Sequence, residues 1–193
     1  GDKDVIYIGA TTSRDVPKIM AIASQGSSLY IYEISPEMIQ GKKGTICSGY
    51  WELTPETGLV EGKLPVATSA YFDRMFYYAV GNKIYRADLT RSTPRSYEIY
   101  AHPDPSVRIT RLKFRSQRED RWDISGGDEV EAIPYDFVSY LGGVAEYPDG
   151  NCSMLEMKLT AAGEIDKEEG TKDLMVYEFK GFKNVVDFVY AFK

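Results

Sequence analysis

Hydrophobic and polar positions alternate along this chain in short runs, and the runs come in pairs. Residues 5–9 are an apolar run closed by Gly9, and Lys18–Ser24 is another. Ser28–Ile34 follows after Gln25, Gly26 and Ser27, and two strands joined by a short Gly/Ser turn predict a hairpin. The device recurs at Arg74–Val80, with Gly81–Asn82 as the turn and Lys83–Leu89 as the return strand. A third copy runs through Phe137–Tyr147, turns at Pro148–Asn151 and returns through Ser153–Leu159. Every second position of the three return strands is apolar or aromatic: Tyr30, Tyr32, Ile34; Tyr85, Ala87, Leu89; Leu155, Met157, Leu159. Period-two alternation sends one face inward and the other to water, so these nine are the expected inward set.

Two further strand regions lie outside the copies. In Val107–Phe114 the pair Val107 and Ile109 is out of phase by one residue with Leu112 and Phe114, and a bulge at Thr110–Arg111 restores the inward face. Strand character also marks Leu174–Phe179 and Val185–Phe192; the latter is expected to pair within the sheet and to bury Val185, Phe188 and Tyr190. The polar stretches Ser35–Pro65 and Ser116–Pro134 are read as loops inserted between strands, with one helical turn at Ser35–Gln40 capped by Ser35. The fold expected from this pattern is all-β and β-propeller-like. It comprises repeated antiparallel blades, about four units, in one domain over residues 1–193, as part of a larger propeller. The opening Gly-Asp-Lys-Asp lacks a Met, which suggests the C-terminal part of a longer protein.

Composition narrows the functions. Apolar residues reach 43%, enough for a substantial core, and 15 tyrosines suit half-buried strands. A net charge of −6 argues against a nucleic-acid partner, which would need a basic surplus. No apolar stretch approaches the roughly 20 residues of a membrane span. With His102 as the single histidine, a His-based zinc site and most Ser-His-Asp schemes fall away. His102 lies in Ala-His-Pro-Asp-Pro and is expected on a surface loop. Cys47 and Cys152 are expected free, although spacing alone leaves pairing open.

The segments Tyr77–Leu89, Ile109–Phe114, the Gly/Asp-rich hairpin at 143–159 and above all the closing Gly181–Tyr190 resemble the C-terminal region of the PKD-like family proteins of Bacteroidetes. That resemblance implies a propeller-like region preceded by an Ig-type module. It also implies a lipoprotein in the cell envelope, at the outer membrane, cell surface or periplasm, beside glycan-uptake systems. A membrane would then be met only through a lipid anchor outside this chain. The partners implied are a glycan and other envelope proteins, with no cofactor and no catalytic residues.

No catalytic motif is legible in the residues themselves. Glycosidases need two carboxylates facing each other, and acidic residues such as Asp73, Asp123, Asp128 and Glu129 read as solvated loop charges. Asp149-Gly-Asn151 and Gly126-Gly-Asp-Glu129 lack the ligand spacing of a calcium loop. Aromatic faces stack on sugar rings, and loops on rigid scaffolds carry function. The ligand-binding candidates are therefore Trp122 and Asp123 in the charged loop, with Trp51 and Tyr50 in Gly49-Tyr-Trp-Glu-Leu-Thr-Pro55. A structural or protein-interaction domain of an envelope complex is the competing expectation.

Overall fold

The computed structural model describes residues 2–11, 18–34, 47–54, 66–70, 75–119, 122–123, 131–132 and 136–190. They form fourteen strands and, among the described residues, no helix. The one-turn helix expected at Ser35–Gln40 lies outside the described residues. Strands β1 (Asp4–Thr11), β2 (Lys18–Gln25), β3 (Ser28–Ile34) and β4 (Cys47–Leu53) form an antiparallel sheet in chain order. A second sheet repeats the plan with β5 (Val66–Ala70), β6 (Met75–Val80), β7 (Lys83–Asp88) and β8 (Ser96–Ala101). The third uses β9 (Arg108–Glu119), β12 (Asp136–Glu146), β13 (Asn151–Leu159) and β14 (Val176–Lys183). A two-residue-per-strand hairpin, β10 (Trp122–Asp123) with β11 (Glu131–Ala132), lies between β9 and β12. The expected hairpin copies are therefore the middle of each four-stranded sheet, and the described residues form three such sheets where about four units were expected.

The sheets stack through their first strands: β1 lies against β5, and β5 against β9. Two cores result. Met20, Ile22, Leu29, Ile31 and Leu53 of the first sheet meet Phe76, Tyr78 and Tyr85 of the second. On the other side of the second sheet, Tyr77, Ala79 and Ile84 meet Ile109, Leu112, Leu141, Leu155 and Met157. The middle sheet is thus buried on both faces, which explains the unbroken apolar run Phe76–Ala79 where a half-buried strand would alternate.

The phase slip in β9 behaves as its pattern dictates. Val144 pairs with Arg111 and Ala145 with Ile109, so Thr110 is the extra residue, and Val107, Ile109 and Leu112 are all buried. The inward set is corrected in β3. Leu29, Ile31 and Glu33 are buried there, while Tyr30 and Tyr32 turn outward. Both faces of β3 are apolar in sequence; the aliphatic set takes the core, and the tyrosines keep their hydroxyls in water.

The chain end is a second correction. Residues 184–190 are not a strand, and the outer strand of the third sheet is β14. The segment instead crosses the outer face of that sheet. Asp187 meets Lys113 at 3.0 Å, and Arg115 lies over the rings of Tyr140 and Tyr190 at 4.4 and 4.9 Å. Val185, Phe188 and Tyr190 are half-buried rather than buried. Gly142 of β12 makes this crossing fit, since a Cβ there would fall on the Tyr190 hydroxyl. Cys47 and Cys152 are both free.

Candidate functional site

The Pro148–Gly150 turn joining β12 to β13 is built by local hydrogen bonds. Gly150 takes a φ of +82°, and its N–H donates to the Tyr147 carbonyl at 3.0 Å. The Asp149 carboxylate accepts from the Asn151 backbone N–H at 2.9 Å and from its side-chain amide at 2.7 Å. On the far side, β14 approaches with a bulge. Cys152 pairs with Phe182 and Met154 with Phe179, so Lys180 and Gly181 together face Ser153. Gly181, at φ +103°, supplies the conformation the bulge requires.

This extra residue opens a cavity of about 390 Å³ between the turn and the edge strand. Tyr147, Asp149, Asn151, Ser153, Lys180 and Phe182 line it. Two aromatic rings, a carboxylate, an amide, a hydroxyl and an ammonium converge there. Ser153 is 1% exposed, and among the described residues its hydroxyl has no hydrogen-bond partner. It stands near Glu178 and Tyr147 without closing a full hydrogen bond to either, yet near enough for its dipole to favour the Glu178 carboxylate.

Beneath the cavity lies His102, and here the surface-loop expectation is corrected: His102 is buried. Its ring sits edge-on to Tyr100 and Tyr147. Its backbone N–H donates to the Asn82 carbonyl at 2.9 Å, which ties the loop to the β6–β7 turn. Nδ1 accepts from the Asp104 N–H at 3.1 Å, so Nε2 is the atom that bears hydrogen, and it points to Glu178 Oε1 at 3.5 Å. Tyr147 donates its hydroxyl to the same oxygen at 2.8 Å. Burial works to raise the Glu178 pKa, but the Ser153 and Tyr147 hydroxyls and the His102 ring outweigh it and hold the carboxyl below its ordinary range. Burial first, then Glu178 and Tyr147, pushes the Tyr100 phenol up to about 12. A hydrolytic relay needs a histidine nitrogen free for the serine. His102 Nδ1 accepts from the backbone, and Nε2 faces Glu178 Oε1 rather than Ser153, without a closed hydrogen bond.

Of the four residues singled out in the sequence, Tyr50 and Trp51 have described side chains, and these two are not brought together. Tyr50 and Trp51 lie on opposite faces of β4, as strand alternation requires. Trp51 is half-buried against the first core and over Gly49. Tyr50 is 51% exposed beside Tyr30 and Tyr32. The backbone of Trp122 and Asp123 forms β10, and their side chains lie outside the described ones. The cavity residues were hidden in a segment whose Asp-Gly-Asn composition is accounted for by its turn. The remaining signal was Tyr147, just before that turn, and Phe182, in the strand paired beside it. No protein-family model, curated protein or solved structure matches the chain.

Proposed function

We propose that this protein is a non-catalytic saccharide-binding module of the cell envelope, and that its stacked sheets are blades of a propeller. The cavity beside the β12–β13 turn carries the reading. Tyr147 and Phe182 offer aromatic faces for the C–H side of a sugar ring. Asp149, Asn151 and the buried Ser153 hydroxyl offer acceptors and donors for its hydroxyls. His102 acts as a structural strut: Nδ1 accepts from the Asp104 N–H, and Nε2 faces Glu178 at 3.5 Å without closing a hydrogen bond. The propeller reading draws on three consecutive four-stranded meanders stacked by their first strands. The envelope setting and the glycan class draw on the resemblance to PKD-like family proteins.

Calorimetric titration with a panel of neutral oligosaccharides tests the reading. At least one binder is expected, with Phe182→Ala and Asn151→Ala each weakening it by about fivefold to tenfold, the scale of one lost aromatic contact or hydrogen bond. A panel without any binder overturns it. The competing reading, a protein-interaction domain, is favoured by one feature. The outer edge of β14 is unpaired among the described residues and exposes Tyr177, Phe179 and Phe182.

A further inference from the structure

The outer face of the first sheet gathers three tyrosines. Alternation sets Tyr30 and Tyr32 on that face of β3, and the register opposes Tyr32 to Tyr50 on β4. Ring centroids lie 6.1 Å apart for Tyr30 and Tyr50 and 5.3 Å apart for Tyr32 and Tyr50, with the planes tilted at 33° and 55°. The rings therefore form an angled box rather than a flat stack.

A cation already sits in it. Lys3 Nζ lies 3.8 Å from the Tyr30 centroid, 5.5 Å from that of Tyr32 and 5.8 Å from that of Tyr50, and it donates to the Tyr32 hydroxyl at 2.7 Å. The Tyr30 hydroxyl donates to Glu52 at 3.3 Å, which adds a carboxylate at the rim. Three π faces and a nearby negative charge around one ammonium are the arrangement by which aromatic boxes hold quaternary and primary ammonium groups. Lys3 and Tyr50 are exposed, so the contact is made at the surface, where a tethered ammonium exchanges readily with a free one.

We infer that Tyr30, Tyr32 and Tyr50 form a binding site for an alkylammonium ligand, with Lys3 as its exchangeable internal occupant. The site lies on a different sheet from the hairpin cavity and is independent of saccharide binding there. The tether gives Lys3 a high local concentration, so it competes with any ligand until it is displaced. Removing its ammonium frees the box without disturbing a buried group.

Choline is the probe, titrated while the tyrosine ring resonances are followed by NMR. Lys3→Ala is expected to bind choline at least about tenfold more tightly than the unaltered protein, the order of one exposed-to-desolvated cation–π contact. Lys3→Arg, which keeps a cation in place, should stay at the weaker affinity. Tyr50→Ala in the Lys3→Ala background should lose the signal. The uncharged isostere 3,3-dimethylbutanol should shift nothing. No choline binding by Lys3→Ala, no gain over the unaltered protein, or equal binding of the isostere overturns the inference. A parallel arm with phosphatidylcholine vesicles separates the sources. Retention on vesicles assigns a lipid headgroup, and binding confined to free choline assigns a soluble amine; both uphold the site.

Discussion

Tyr78 is fully buried in the first core, yet it carries a hydroxyl, and that hydroxyl donates to Ser96 Oγ at 2.7 Å. A buried polar pair of this kind is costly to break on one side, because the remaining group loses water and partner together. Tyr78→Phe should therefore lower stability by about 1–3 kcal/mol, read from urea unfolding, whereas an exposed Tyr97→Phe should change little. Glu178 makes a pH-dependent contribution. Its pKa in the folded protein is held below the ordinary range, so its stabilisation is present at neutral pH and is lost as the carboxyl protonates on acidification. Glu178→Gln should flatten the acid limb of a stability–pH curve, and an unchanged limb would place the acid sensitivity elsewhere. At this scale the sequence was least legible. The composition around His102 describes a turn, which it is, but nothing local shows that Tyr100 and Tyr147 close over the ring from two different sheets.

Among the elements, the hairpins and the β9 bulge were legible because period-two alternation survives in them. Strands β4, β5 and β8 were not, and each for a local reason. Val66–Ala70 is made of small residues with little apolar contrast, and Ser96–Ala101 is an edge strand in which only Ser96 is buried. Cys47–Leu53 breaks alternation by placing Tyr50 and Trp51 side by side. The chain end misled for the opposite reason. Its apolar density serves to lie over a sheet, with Phe188 and Tyr190 against β12 at Gly142, rather than to extend one. Gly142→Val should dislodge this segment and cost about 1–3 kcal/mol, in the range of overpacking. Deleting residues 185–193 should cost about 2 kcal/mol, the worth of its half-buried rings. If Gly142→Val acts through the segment, the two changes combined should cost little more than the larger alone, and full additivity in denaturant unfolding would separate them.

On the scale of the molecule, the second sheet gives one face to each neighbour, so its residues belong to both cores. The all-β class and the repetition were legible because every copy joins two strands through a short glycine-containing turn. The number of sheets was not, since β4, β5 and β8, which complete the first two meanders, carry the weakest pattern. The first two sheets are consecutive meanders, so their pairings join neighbours in the chain. The third differs, because β9 must find β12 across residues 120–135, which include the β10–β11 hairpin. Closing a loop of that length before any pairing is rewarded slows the search. Glu119 and Asp136 face each other as the last pair of the ladder, so a two-residue Asn-Gly turn would connect them directly. Replacing residues 120–135 by that turn should lower the closure cost by about 2 kcal/mol at most and speed refolding by up to about twentyfold. The unfolding rate should hardly move if β9 and β12 pair before the rate-limiting step. Faster refolding of that variant would make the third sheet the pace-setter for the whole chain, and the hairpin that interrupts it a delay in its assembly.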